Sequence, residues 1–254
     1  MNALNDPEHA SLPGGDILSA RAIHKRFGAL VVLDNVDFAM KPGEALGIVG
    51  PNGAGKTTLL SVLAGAFPPN SGTIHFEGRD ITGQSAADRC RAGLVKTHQV
   101  PKPFSGMTTF ENVLVGATHG RAQNREEAYA RAVDSLDLCG MSAIANRKAE
   151  TLGLLDRKRL ELARALATGP KVLLLDEIGG GLTEGEAGEL VATIQELCRR
   201  GIAIVWIEHI VHILLQVAGR LICMDAGRII ADGEPNAVMN NAEVVKAYLG
   251  GAPA

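Results

Sequence analysis

The sequence predicts an α/β fold with a mixed sheet core, an antiparallel β subdomain and an inserted α-helical subdomain. Three observations predict it. Residues 50–57 read GPNGAGKT, which fits the phosphate-binding pattern G-x-x-x-x-G-K-[ST] between an apolar run and a helix start. Hydrophobic residues make up 46% of the chain but aromatics only 4%, so the core is aliphatic, as suits a parallel sheet of Val, Ile and Leu. From Gly93 onward, short apolar runs alternate with helical patterns, the rhythm of a parallel sheet covered by helices.

In order, residues 17–25 and 31–40 read as strands, with Phe27-Gly28 in a turn between them. Pro42-Gly43 marks a turn before the strand ALGIV, and residues 57–64 start a helix. The segment FPPNSG breaks that helix, and residues 73–80 read as strand and turn. The region around the loop is therefore expected to be antiparallel. Residues 93–99 read as a strand ending in polar residues, and Pro101 and Pro103 end it. Residues 109–147 are mainly helical in pattern, within a helical subdomain expected over about 101–165. Beyond it come a helix at 157–167, a strand at 171–175, a helix at 185–200, a strand at 202–207 and an apolar helix at 210–217. A strand–turn–strand at 221–231 and one closing helix at 236–249 complete the pattern.

Composition excludes several classes. The net charge of −3 argues against a broadly basic nucleic-acid binder. Cys90, Cys139, Cys198 and Cys223 show no C-x-x-C pairing and read as reduced thiols of a cytosolic protein. No apolar run approaches the ~20 residues of a membrane span. The opening MNALNDPEHASLPGGD has neither a basic n-region nor an apolar h-region, so a flexible leader over 1–16 is expected rather than a secretory signal.

The loop carries the chemistry. Gly50, Gly53 and Gly55 let backbone N–H groups point inward around an anion, and the following helix N-terminus adds partial positive charge. Lys56 is placed to reach β- and γ-phosphates, and Thr57 to offer its hydroxyl to Mg²⁺. Pro51, Asn52, Ala54 and Thr58 complete the nucleotide-binding segment. Asp176, closing the strand KVLLL, can hold Mg²⁺, and Glu177 can accept a proton from an attacking water. Gln99 and His209 stand at two further strand ends, where ligands of open α/β sheets sit. Gln99 can contact Mg²⁺ or the water, and His209 the γ-phosphate. The expected ligand is thus a nucleoside triphosphate with Mg²⁺.

Together these motifs make the chain resemble the ATP-binding subunit of an ABC transporter, a phosphate-loop NTPase, from about Ile17 to the C-terminus. GPNGAGKT resembles the Walker A loop, VLLLDE the Walker B strand, Gln99 the Q-loop glutamine and His209 the switch histidine. The resemblance implies ATP and Mg²⁺ as ligands, ATP hydrolysis at Glu177, and adenine stacking on Phe27. RFGAL, ARALAT with GPKVLLLDE, and the ending VVKAYLG resemble the branch that serves branched-chain amino-acid importers and related small solutes. That branch implies integral-membrane permease subunits, a second ABC ATP-binding subunit and, indirectly, a periplasmic solute-binding protein. It places the chain at the cytoplasmic face of the bacterial inner membrane.

Two departures stand out. The family signature LSGGQ aligns with Leu152-Gly153-Leu154-Leu155-Asp156, where the serine and both glycines that could ring a phosphate are replaced and an aspartate repels it. Ile178 stands where the family usually has proline, and Gly180-Gly181-Leu182-Thr183 replaces the usual D-loop. A heterodimer is therefore expected over a homodimer. A weakly hydrolysing nucleotide-binding subunit and a soluble, non-transport ABC ATPase are the alternative readings.

Overall fold

The computed structural model describes residues 15–249; the leader expected over 1–16 lies outside them except for its last two residues. Strands β1 (Leu18–Phe27) and β2 (Leu30–Met40) form a hairpin. β3 (Ala45–Val49) leads through the glycine loop into α1 (Lys56–Leu63). β4 (Ser71–Phe76) and the two-residue β5 (Arg79–Asp80) extend the hairpin, so the antiparallel sheet runs β2-β1-β4-β5.

α2 (Ala86–Ala92) then precedes the short β6 (Leu94–Lys96). The sequence reading contains no α2, because its polar run DRCR lacks an apolar stripe. The Ser85 hydroxyl accepts the Asp88 N–H at 3.2 Å, an N-cap. Arg89 on α2 is buried and donates to the carbonyls of Val62 and Leu63 at 2.9 and 2.7 Å. It thereby satisfies unpaired carbonyls at the end of α1.

α3 (Thr109–His119), α4 (Arg125–Leu138) and α5 (Leu154–Ala167) pack on one another. Thr108 and Glu111 form a capping box at the start of α3, which fixes its first turn. β7 (Val172–Asp176), α6 (Glu184–Arg199), β8 (Ala203–Ile207) and α7 (Val211–Leu214) follow. β9 (Arg220–Asp225) and β10 (Arg228–Gly233) form an antiparallel hairpin. The expected closing helix is two helices, α8 (Pro235–Met239) and α9 (Ala242–Leu249). The break falls at Asn240-Asn241, where the Asn241 side chain accepts the Glu243 N–H at 2.8 Å and starts a new helix.

The second sheet has the order β10-β9-β3-β8-β7-β6. β3 pairs in parallel with both β8 and β9, which corrects the expectation of antiparallel surroundings for the loop. The strand that feeds the loop therefore lies in the interior of the parallel sheet. β7 and β8 are buried at every residue, as a doubly covered sheet requires. Their side chains alternate between two cores. Leu173, Leu175, Ile204 and Trp206 join the core under the helices, whereas Val172, Leu174, Val205 and Ile207 join the core around α1 and the antiparallel sheet. The carboxyl ends of β3, β6, β7 and β8 thus open on one edge.

Candidate nucleotide site

The loop from Gly50 to Gly55 bends through left-handed backbone at Gly50, Gly53 and Gly55, with φ of 140°, 80° and 99°. A Cβ on Gly50 would lie 2.0 Å from the Met224 carbonyl oxygen, and one on Gly55 2.7 Å from that of Val32. Glycine is required there by crowding as well as by φ. Gly53 meets nothing within 4 Å, so its glycine serves conformation alone. With Val32, Lys56, Thr57, Thr58 and Glu177, residues 52–55 line a cavity of about 180 Å³.

Lys56 opens α1 and is 6% exposed. Its Nζ donates to the carbonyls of Gly50 at 2.7 Å and Pro51 at 3.0 Å. Burial lowers its pKa, against the opposing charges of Glu177, Cys223 and Asp176. An anionic phosphate beside it would compensate that burial. On the outer side of the loop, the Gly50 N–H donates to the Tyr248 hydroxyl on α9 at 2.9 Å.

Asp176 ends β7 and is fully buried. One carboxylate oxygen accepts the Thr57 hydroxyl at 3.1 Å, and the other accepts Lys96 Nζ from the end of β6 at 2.8 Å. A threonine hydroxyl beside a carboxylate is a hard oxygen pair that suits Mg²⁺, which takes few protein ligands and completes its shell with water and phosphate. Among the described residues no group of three or more His, Cys, Asp or Glu is placed to hold a metal ion by itself.

Glu177 follows with φ of 51°. One oxygen lies 2.7 Å from His209 Nε2, and the other accepts Gln99 Nε2. The structure therefore sets Thr57 against Asp176 and sets Gln99 and His209 against Glu177, while Lys56, Thr57 and Glu177 line one cavity. Gln99 stands three residues beyond the end of β6, in a bend. Phe27 ends β1 on the antiparallel sheet and is 43% exposed. Its ring packs edge-on against Phe67 with centroids 5.4 Å apart, under Lys25 Nζ at 5.0 Å. It does not line the phosphate cavity, whereas Val32, absent from the sequence reading, does. Lys96 and Tyr248, which contact Asp176 and the loop, lie outside the residues the sequence picks out. A lysine closing an apolar strand was the one visible signal for Lys96; Tyr248 carried none, since nothing local ties α9 to the loop.

The signature-like stretch is only partly presented. Leu152 is buried among the helices, whereas Leu154 is half exposed at the first turn of α5. Gly153 caps that helix without a side-chain hydrogen bond, and Asp156 adds a carboxylate to its first turn.

A phosphate loop, a buried aspartate facing its threonine, and a glutamate bridged by glutamine and histidine define a nucleotide-hydrolysing cassette. The profile of the ABC transporter family matches residues 33–179, and that of the branched-chain amino acid ATP-binding cassette transporter matches residues 228–254. The chain is 35% identical to the high-affinity branched-chain amino acid transport ATP-binding protein LivG of Escherichia coli, covering 93% of this chain and 98% of LivG. It is 32% identical to BraF of Pseudomonas aeruginosa, described in the same words, with 93% and 98% covered. A solved ATP-binding cassette of an ABC transporter in its ADP conformation superposes with a TM-score of 0.84 at 33% identity, over 93% of this chain and 100% of that one. A nucleotide-free cassette gives 0.83 at 32%, over 92% and 98%. The chain belongs to the ABC transporter family, as one of its ATP-binding cassettes, and is an ATPase.

Proposed function

We propose that the chain is the ATP-binding and hydrolysing subunit of an importer for branched-chain amino acids or a related small solute. The observation that carries the solute class is the match of residues 228–254 to the branched-chain cassette profile, beside the 32–35% identity to relatives named for that transport. In this reading the subunit sits peripherally at the cytoplasmic face of the bacterial inner membrane. It works with integral-membrane permeases, a second ABC ATP-binding subunit and, indirectly, a periplasmic solute-binding protein. No helix among the described residues is long and apolar enough to cross a membrane, and in this reading the permeases carry the path for solute.

In the same reading residues 17–254 are the ABC domain and about 101–165 its helical subdomain. Amides of the Gly50–Thr58 loop and Lys56 hold the β- and γ-phosphates, Lys56 exchanging its carbonyl partners for phosphate oxygens. Phe27 offers its face to adenine. Thr57, Asp176 and Gln99 would hold Mg²⁺, which neutralises charge on the phosphates when bound. Glu177 takes the proton from the attacking water, and His209 orients water and γ-phosphate. The signature-like stretch, offered in trans to a partner's ATP, binds phosphate poorly because Leu154 and Leu155 obstruct amide approach and Asp156 repels. That favours a heterodimer whose hydrolysis falls mainly at the site built from this chain's loop.

Uptake of labelled leucine, isoleucine and valine into vesicles carrying the assembled transporter tests the solute class. ATP-dependent accumulation is expected. Accumulation of urea, amides or aromatic acids instead would assign one of the related solutes, and accumulation of none of these would contradict the class.

A further inference from the structure

Glu177 is an unusual place to put a base. Its φ of 51° is left-handed backbone that a residue with a Cβ adopts only when its surroundings impose it. Ile178, next in the chain, has no ring to fix its own φ. Something else must hold the turn.

Two buried charged side chains reach it from different elements. Lys158, on α5, is 6% exposed, and its Nζ donates to the Ile178 carbonyl at 2.9 Å and lies 3.5 Å from that of Glu177. Glu208, just past β8, is 2% exposed. Its Oε1 accepts the Gly179 N–H at 2.6 Å and the indole N–H of Trp206 at 3.1 Å. A Cβ on Gly179 would lie 2.8 Å from that oxygen, so any larger residue there would push the Glu208 carboxylate aside. Neither charge lines the phosphate cavity. Buried charges are costly unless they are well paired, and both reach the backbone of one tripeptide, Glu208 bonding Trp206 as well. Glu208 also precedes His209, whose ring holds the Glu177 carboxylate.

We propose that Lys158 and Glu208 are positioning residues: they clamp the Glu177–Gly179 backbone from α5 and β8, and so aim the Glu177 carboxylate into the phosphate cavity. The clamp replaces the rigidity that a proline at 178 would give, and it ties the helix bearing the signature-like stretch to the base. It rests on the reading of Glu177 as the proton acceptor.

The test measures ATP turnover and ATP affinity of the full chain in its assembled transporter. Lys158→Met and Glu208→Leu should each lower kcat by about 10- to 100-fold, the scale of a misplaced catalytic group. ATP affinity should stay within about twofold, since the loop is untouched. Glu208→Gln, which keeps an acceptor oxygen for Gly179, should retain most of the turnover. In single-turnover assays, Lys158→Met added to Glu177→Gln should cause no further loss, because the group being aimed is already gone. An equal further loss in that background, or a fall in ATP affinity matching the fall in kcat, would overturn the clamp. Should Lys158→Met and Glu208→Leu both turn over normally while Glu177→Gln does not, the clamp alone fails. Should Glu177→Gln itself retain wild-type turnover, the base assignment fails, and with it the purpose of the clamp.

Discussion

Replacing Glu177 with glutamine should leave ATP bound and stop its turnover. The carboxylate lies between His209 Nε2, 2.7 Å away, and Gln99; in the proposed reading it takes a proton from the attacking water, which an amide at the same place cannot do. Losing a positioned general base costs about 10²- to 10⁴-fold in rate. The loss belongs to the transition state, so kcat falls while nucleotide affinity stays near wild type. Phosphate release from the assembled transporter, alongside calorimetric ATP binding, separates the two quantities. Unchanged turnover would remove Glu177 from its role.

Replacing Lys56 with alanine should act on the other quantity. Nζ is a charged donor held in a nearly closed place by the Gly50 and Pro51 carbonyls, ready to exchange them for phosphate. A charge-assisted hydrogen bond of this kind contributes on the order of 1.5–3 kcal/mol, or roughly a 10- to over 100-fold loss of Mg-ATP affinity. Calorimetry on the purified chain checks this, and equal affinity in wild type and variant would remove the loop from nucleotide binding.

The parts of the site that lie within one local pattern were legible in the sequence. The strand ALGIV, the glycine loop and α1 follow one another without interruption, and β7 announces Asp176 and Glu177 by a wholly apolar run that ends in two carboxylates. Contacts made across the chain were not legible. β3 lies between β8 and β9, partners more than 150 residues away, and its hydrophobic pattern says that it is buried without saying beside what. Arg89 lies in a polar run where the sequence predicts no helix, and its burial becomes clear only when α1 supplies its carbonyls. Lys158 and Glu208 read as helix surface and strand end, yet both are buried on one turn. The closing helix was broken by an asparagine side chain competing for a backbone N–H, a local choice that a helical period overlooks. Phe27 was read alone, whereas Phe67, from the breaker after α1, is packed against its ring.

The account turns on where hydrolysis takes place. In the proposed reading this chain brings a complete set of groups around its own phosphate loop and a signature-like stretch, Leu152 to Asp156, that suits a partner's phosphate poorly. The most direct test exchanges the proposed base for glutamine in one cassette of the proposed heterodimer at a time and measures steady-state ATPase activity. Glu177→Gln in this chain should abolish most of the activity, whereas the equivalent exchange in the partner should leave most of it. Equal losses from the two exchanges would contradict the asymmetry, and a purified chain that alone turns over ATP as fast as the full complex would contradict the need for a heterodimer.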